Sequence, residues 1–201
     1  MFKDVSVAVN AGEIVDVAGP SGSGKTTLLR ALARLLPSAA GELALDGELA
    51  RDLSPQRWRS LVALLPQKPA ITPGDLRENL TLPWRLKIER GTVEPGADTL
   101  EAALEEVGLG GTPLDRDAAR LSVGQQARIA LLRVLLTSPR VLLLDEPDAA
   151  LDTASAEALA AALVRVAASG TAIVRVRHRE SDGLAARRLV LADGALTEAS
   201  A

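Results

Sequence analysis

One stretch constrains the fold of this chain more than any other: the sequence GPSGSGKT at residues 19–26, which matches the pattern G-x-x-x-x-G-K-[ST]. It follows an apolar run at residues 14–18 and leads directly into a helix pattern with one apolar face. A glycine-rich loop between a strand and a helix gathers backbone N–H groups at a helix N-terminus, which is the arrangement that binds phosphate. The alternative is a glycine-rich turn with a chance Lys-Thr pair, and it accounts poorly for four fixed positions at this joint. The sequence therefore predicts a nucleotide site.

Each residue type in this loop has an expected task. Lys25 would reach the β- and γ-phosphates as a point charge, and the Thr26 hydroxyl would ligate Mg²⁺. The predicted nucleotide-binding residues are Gly19, Pro20, Ser21, Gly22, Ser23, Gly24, Lys25, Thr26 and Thr27.

Composition limits the remaining possibilities. The chain has 201 residues, a formal net charge of −3 and no cysteine. The length is typical of one domain, and the acidic balance argues against a nucleic-acid partner, which usually meets a basic face. No apolar stretch approaches the roughly 20 residues that span a bilayer, so we expect a soluble chain whose membrane contacts go through a partner.

The alternation of strand and helix patterns predicts an α/β domain with a mostly parallel sheet. Strands are predicted at residues 5–9, 13–18, 41–45, 61–65, 141–144 and 171–176, with a closing hairpin at 189–191 and 195–197. Helices are predicted at 28–36, near Trp58, at 125–137 and at 153–168. Prolines and glycines interrupt residues 68–120, where short helices fit at 74–80 and 99–107. We interpret this region as a small helical lobe inserted into the sheet domain.

Polar side chains follow three further predicted strands. Gln67 follows the run at 61–65, Asp145 and Glu146 follow 141–144, and His178 follows 171–176. Because ligands bind at the carboxyl ends of parallel strands, these residues should converge on the γ-phosphate. Asp145 and Gln67 are candidates to hold Mg²⁺, and Glu146 is placed to orient or deprotonate the attacking water. The alternatives are a carboxylate pair that caps the next helix, a surface glutamine and a structural histidine.

The sequence LSVGQ at residues 121–125 resembles a second anion-binding helix start. A helix cap explains Ser122 but leaves Gly124 and Gln125 unexplained. Two phosphate-binding helix ends in one chain suggest that the second serves another subunit's nucleotide.

Taken together, these motifs resemble the ATP-binding-cassette (ABC) ATPase domain, in the family's order and with similar spacing over nearly the whole chain. The resemblance implies a P-loop NTPase of ABC ATPase type: a mostly parallel sheet core with an N-terminal antiparallel β part and an inserted helical subdomain. It implies a single domain at 1–201, with the sheet core at about 1–67 and 138–201 and the helical subdomain at about 68–137. It also implies ATP and Mg²⁺ as ligands and ATP hydrolysis as the activity.

Further roles follow from the resemblance, residue by residue. Asp145 matches the Walker B carboxylate, Glu146 the catalytic base, Gln67 the Q-loop residue and His178 the switch histidine. In the family, two domains form a head-to-tail dimer, in which each ATP lies between one P-loop and the other subunit's signature sequence. The residues expected to act across that dimer are Ser122, Val123, Gly124 and Gln125 in the signature, and Asp152 in the D-loop.

The chain departs from the family pattern at three places. Val123 stands where the signature usually has glycine, and Ala149 stands where the D-loop commonly has serine. The aromatic residue that stacks on adenine in the family has no counterpart in this sequence, and Phe2 aligns by spacing with a later core strand. We expect function to survive the first two changes. The third leaves two alternatives: the start of the sequence is misassigned or truncated, or the adenine base is held without the usual stacking.

The resemblance also implies partners. It points to an integral membrane permease that the ATPase dimer powers, and to a location at the cytoplasmic face of the inner membrane. Residues 75–84 resemble the small FetA-like ABC ATPases assigned to iron export, with Asn79, Leu82 and Trp84 as candidate permease contacts. Two alternatives stay open: an ABC ATPase that acts on DNA or ribosomes, and a weakly hydrolysing nucleotide sensor.

Overall fold

Strand β1 (Ile14–Ala18) lies in the interior of the sheet, and all five of its residues are buried. The computed structural model describes residues 5–37, 39–86, 93–149, 151–177 and 182–199. After β1 the chain forms α1 (Lys25–Leu32), β2 (Ala44–Leu45), β3 (Glu48–Leu49), α2 (Pro55–Leu61), β4 (Val62–Leu65), α3 (Leu76–Arg85), α4 (Ala97–Glu106), α5 (Val123–Leu135), β5 (Val141–Asp145), α6 (Thr153–Ala168), β6 (Ala172–Val176), β7 (Arg187–Ala192) and β8 (Ala195–Glu198). Within these ranges no helix is both long and apolar enough to cross a bilayer.

The main sheet has the strand order β4-β5-β6-β1-β7-β8. Five strands, β4, β5, β6, β1 and β7, run parallel to one another, and β8 pairs antiparallel with β7 at one edge. A separate antiparallel hairpin joins β2 and β3 across Asp46 and Gly47, so only the end of the predicted strand at 41–45 forms a strand. Because the carboxyl ends of β1, β4, β5 and β6 meet at one edge, the segments that follow these strands open together there.

Alternate residues of the central strands build two apolar cores, one on each face of the sheet. Leu144 and Ile173 pack with α5 and α6 on one face. Leu143 and Val176 pack with α1 and α2 on the other. Burial on both faces explains why β5 reads as a continuous aliphatic run.

Helices α3, α4 and α5 enclose a third apolar core, which includes Leu80, Leu104 and Ile129. Helix α3 begins with a reciprocal capping box between Asp75 and Glu78, so its start is defined by side chains as well as by packing. The predicted helical character of this region is confirmed, and its boundaries at about 68–137 stay a prediction.

Three local expectations were wrong. Residues 5–10 form no strand, because a strand needs a backbone to pair with and no described strand pairs with this segment. Helix α1 ends at Leu32 rather than reaching residue 36, and Arg34 then takes a φ of 52°, which leaves Leu35 exposed. The continuous apolar run at 61–65 predicts a strand buried on both faces, but β4 is half-buried in its middle because it lies at the edge of the sheet.

Candidate nucleotide-binding site

The loop between β1 and α1 leaves the N–H groups of the first helical turn exposed towards the inside of the loop. Gly24 is the N-cap of α1 with a φ of 101°, and the first turn carries no acidic side chain. Gly19 has a φ of 144°, and a Cβ there would lie 2.2 Å from the carbonyl oxygen of Leu191. Glycine is therefore required at this position. The exposed N–H groups of such a helix start attract anions.

Two polar side chains in this loop point to an anionic ligand. Lys25 is buried, and its Nζ donates to the carbonyl oxygens of Gly19 and Pro20, each at 2.9 Å. Its cation is thus held within the loop. The Ser23 hydroxyl is buried without a hydrogen-bond partner among the described residues. A buried polar atom without a partner is uncommon in folded proteins and marks capacity for a ligand.

Thr26 and Asp145 bring the helix start and the end of β5 together. The Thr26 hydroxyl donates to Oδ2 of Asp145 at 2.8 Å. Asp145 is 4% exposed, and its Oδ1 has no hydrogen-bond partner within the described ranges. A hydroxyl beside a carboxylate oxygen with spare capacity is a donor set that suits Mg²⁺, which takes few protein ligands and completes its shell with phosphates and water. The residues therefore fit that ion.

Gln67 and Glu146 form a second contact between strand ends. The Gln67 amide Nε2 donates to Oε2 of Glu146 at 2.7 Å. The Glu146 N–H donates to the carbonyl oxygen of Val176 at 3.0 Å, and its φ is 51°. The structure thus brings the predicted Gln67, Asp145 and Glu146 to one edge of the sheet. His178 follows β6 in the sequence but lies outside the described residues, as do Phe2 and Ala150.

The start of α5 closes on itself. The Gln125 N–H donates to the Ser122 hydroxyl at 3.2 Å, and the Ser122 N–H donates to Oε1 of Gln125 at 3.0 Å. This capping box satisfies two donors and leaves the N–H groups of Val123 and Gly124 at the tip of the helix. Val123 is 69% exposed. Among the described residues, no hydrogen bond or ion pair joins this segment to the loop at residues 19–27.

Asp152 caps helix α6. Its Oδ1 accepts a hydrogen bond from the Ser155 N–H at 2.8 Å. Hydrogen bonds from Ser155 hold the pKa of Asp152 below its ordinary value, because they stabilise the ionised carboxylate. The predicted helix start at this position is confirmed, and its place in a dimer stays a prediction.

Asn79 is not available for a partner protein, contrary to expectation. It is fully buried, and its Oδ1 accepts from Thr72 and from Arg133 Nη2 at 2.8 Å. Its Nδ2 donates to the carbonyl oxygens of Thr72 and Asp75. Asn79, which lies in α3, therefore connects this helix to Thr72 in the segment after Gln67 and to Arg133 in α5. Leu82 and Trp84 are partly exposed on α3.

Sequence reasoning missed a set of five charged side chains beneath the site. Asp16 in β1 and Arg175 in β6 are buried, and Asp148, Arg177 and Asp182 lie beside them. A signal was present, since each of two apolar strands carries one charge and the two charges have opposite signs. A buried charge requires a partner, so this pairing could have been predicted.

The strand order, the glycine loop between β1 and α1, and the carboxylate at the end of β5 define a P-loop nucleotide-binding domain. A family model described as "ABC transporter" matches residues 2–149. The chain belongs to the ABC transporter family, as the sequence motifs indicated.

Curated relatives of the chain are longer proteins. Human "ATP-binding cassette sub-family B member 6" is 33% identical over 208 residues, which cover 98% of this chain and 24% of that protein. The "Multidrug resistance ABC transporter ATP-binding and permease protein" of Lactococcus lactis subsp. lactis (strain IL1403) is 32% identical, with 90% of this chain and 31% of that protein covered. "Protein STAR1" of Oryza sativa subsp. japonica is 38% identical over 179 residues, or 89% of this chain and 51% of that protein. The chain thus spans between about a quarter and a half of these relatives.

Two solved structures share the fold along almost the entire chain. A bacterial Atm1-family ABC exporter with ATP bound has a TM-score of 0.81 and 26% identity, covering 98% of this chain and 35% of that one. The dimeric ATP-binding cassette MJ0796 in a post-hydrolysis state bound to ADP and Pi has a TM-score of 0.81 and 27% identity, covering 99% and 90%. These likenesses confirm the ABC ATPase fold that the sequence predicted.

Proposed function

We propose that this chain binds ATP, hydrolyses it to ADP and phosphate, and powers a separate membrane permease by closing a dimer. The observation that carries the proposal is the 2.8 Å contact between Thr26 and Asp145 beside the buried Lys25. A hydroxyl, a carboxylate and a cation at one helix start make the set of groups that holds the phosphates and metal of a nucleoside triphosphate.

Binding falls to the loop and to the first turn of α1. Its N–H groups and Lys25 would contact the phosphates, with Lys25 exchanging the carbonyls of Gly19 and Pro20 for phosphate oxygens. Thr26, Asp145 and Gln67 would hold Mg²⁺. When bound, Mg²⁺ neutralises charge on the β- and γ-phosphates.

Hydrolysis would depend on Glu146. Its carboxylate would orient the attacking water and take its proton while the bond to the γ-phosphorus forms and the bond to the ADP oxygen breaks. The 2.7 Å hydrogen bond from Gln67 supports this role, because it holds the carboxylate at the edge of the sheet where the phosphates would lie. His178 would contact the γ-phosphate, as the family resemblance implies.

The second helix end would complete the site of another copy. The exposed start of α5 presents Ser122, Gly124 and Gln125, and Asp152 would lie at the same dimer interface. The dimeric form of the solved cassette MJ0796 supports a head-to-tail dimer for this chain as well.

Transport is supported by relatives that are named as transporters or exporters. We propose that the chain lies at the cytoplasmic face of the inner membrane, bound to a permease that residues of α3 would contact. Export of a metal ion such as iron is the finer proposal, and it rests on the resemblance of residues 75–84 to the FetA-like group.

The test is Glu146→Gln. We expect ATP turnover to fall about 100-fold or more, because the group that takes the proton is lost, while ATP binding persists and the ATP-bound dimer accumulates. Steady-state phosphate release and size-exclusion chromatography with ATP measure the two effects. Equal turnover in wild type and variant would remove Glu146 from the mechanism, and tight, salt-sensitive binding to duplex DNA would favour the alternative function.

A further inference from the structure

A buried ionic cluster lies beneath the candidate site, formed by Asp16, Asp148, Arg175, Arg177 and Asp182. The most deeply buried part of the cluster is an ion pair between neighbouring strands. Arg175 Nε and Nη2 donate to the two carboxylate oxygens of Asp16 at 2.7 and 3.0 Å. The side chains of Arg175 and Asp16 are 2% and 8% exposed. Both residues lie on the sheet face that packs against α5 and α6, since each is two positions from a residue of that core.

Arg177 connects the Arg175–Asp16 ion pair to the segment that follows Glu146. Its Nη2 and Nε donate to Oδ2 of Asp148 at 2.8 and 3.2 Å. Its Nη1 lies 2.9 Å from Oδ2 of Asp182, which makes an ion pair without a hydrogen bond. The same Oδ2 accepts a hydrogen bond from Arg175 Nη1. The side chains of Arg177 and Asp148 are 10% and 11% exposed, so water screens this pair little.

Asp148 lies in the turn at residues 146–149, and Ala150, which the structure does not describe, separates this turn from Leu151 and the cap of α6. The Ala149 N–H donates to the Glu146 carbonyl at 3.2 Å, and the Leu151 N–H donates to the Asp148 carbonyl at 3.3 Å. Asp152 follows immediately. The segment from Glu146 to Asp152 thus has the proposed base at one end and the proposed dimer contact at the other, and Arg177 holds it from the sheet side.

The composition of the cluster makes its geometry restrictive. Three carboxylates share two guanidinium groups, so each arginine must serve more than one acid. Burial raises the pKa of Asp182, but hydrogen bonds from Arg175 and Leu184 and the charges of Arg175 and Arg177 outweigh it and leave that pKa below its ordinary value. Lysine could not replace Arg177 here, because a single ammonium lacks the planar fork that reaches two carboxylates.

We propose that Arg177 is a positioning residue for ATP hydrolysis, which acts by holding Asp148 and thereby fixing the turn between Glu146 and Asp152. This inference rests on the proposed ATPase function. It adds a control point that serves two sites at once: the base in its own subunit and the D-loop edge that a second copy would meet.

The test compares Arg177→Met, Arg177→Lys and Asp148→Asn with wild type. We expect kcat to fall by at least about tenfold in all three, since small displacements of a catalytic group cost that much or more. ATP affinity should stay within about threefold, because Lys25 and Thr26 lie outside the cluster. ATP-driven dimerisation in a Glu146→Gln background should weaken in parallel. Wild-type kcat in Arg177→Lys would overturn the proposal, because charge alone would then suffice.

Arg187→Met is the matched control. Arg187 pairs with Glu13 at 2.6 Å before the start of β1, in the same sheet but away from the turn. This variant should change the melting temperature and leave kcat unaltered, whereas a tenfold loss of kcat in it would assign the effect to general destabilisation. If the single variants do not fold, the double variant Arg177→Met/Asp148→Leu removes both buried charges, and its kcat decides in the same way.

The failure of this inference is distinguishable from the failure of the proposed function. Wild-type hydrolysis that depends on Glu146 but not on Arg177 or Asp148 would refute only the positioning role. Absence of hydrolysis in wild type, together with no ATP-driven dimer of Glu146→Gln, would refute the proposed function.

Discussion

The two helix starts that we propose as anion-binding sites differ in how many of their polar contacts come from the chain itself. At the start of α1, Lys25 is buried and bonded to the loop, and Thr26 reaches the carboxylate of Asp145. At the start of α5, the side chains of Ser122 and Gln125 each accept a hydrogen bond from the other residue's backbone N–H, and Val123 is exposed. The start of α1 therefore has polar partners within the chain, whereas the start of α5 is exposed, as the proposed contact with a second copy requires.

Lys25→Ala should impair ligand binding at the start of α1, and we expect it to have a larger effect than either Ser122→Asp or Asp152→Asn. It removes the cation inside the loop and the two hydrogen bonds that the cation makes, so we expect ATP affinity to fall about 100-fold or more. Equilibrium binding of a fluorescent ATP analogue measures this. Lys68→Ala removes an exposed lysine and is the control, and similar affinities for the two variants would contradict the assignment.

Ser122→Asp should impair the proposed role of the α5 start and leave the α1 start unaffected. Aspartate and asparagine both cap helices well, so neither variant should unfold α5. The aspartate, however, would place a negative charge opposite the phosphates of a second copy, so we expect ATP-driven dimerisation to weaken about tenfold or more. Ser122→Asn is the neutral match.

Analytical ultracentrifugation with ATP in a Glu146→Gln background measures dimerisation, and ATP affinity of the monomer should stay unchanged. Equal dimerisation of the aspartate and asparagine variants would mean that the start of α5 faces no phosphate.

Asp152→Asn should give the smallest effect, visible only in acid. The pKa of Asp152 lies below its ordinary value of 3.8, so its contribution to stability is present above that value and is lost as pH falls through the lowered pKa. Asparagine keeps the cap but does not titrate. Below pH 3.8 the melting temperature of the wild type should therefore fall more steeply with pH than that of the variant. Parallel acid limbs in thermal melts would contradict this.

The candidate nucleotide-binding site could be predicted from the sequence because its signals are local and mutually consistent. The phosphate loop, the carboxylates after β5 and the cap at Ser122 each combine a residue type with a strand or helix boundary. Parallel topology then brings strand ends together without further information. For this reason the contacts of Gln67 and Asp145 follow from the strand pattern.

The remaining features depend on tertiary partners that local patterns do not reveal. Asn79 reads as a helix-surface residue, but Thr72 and Arg133 satisfy its amide in the interior. Leu35 reads as part of an apolar helix face, but the helix ends before it. The ionic cluster lies between these cases, because its charges stand out in the strands while the turn they hold does not.

The left-handed backbone at Glu146 has a consequence for how this chain can diverge. With a φ of 51°, the position disfavours β-branched and bulky replacements and accepts small or flexible polar ones. Descendants of this sequence can therefore exchange the glutamate for glutamine, asparagine or glycine and keep the turn. At this residue the backbone conformation limits which side chains preserve the turn, but it does not require a carboxylate. Cassettes that keep the architecture and lack the proposed catalytic base therefore lie one substitution away from this sequence.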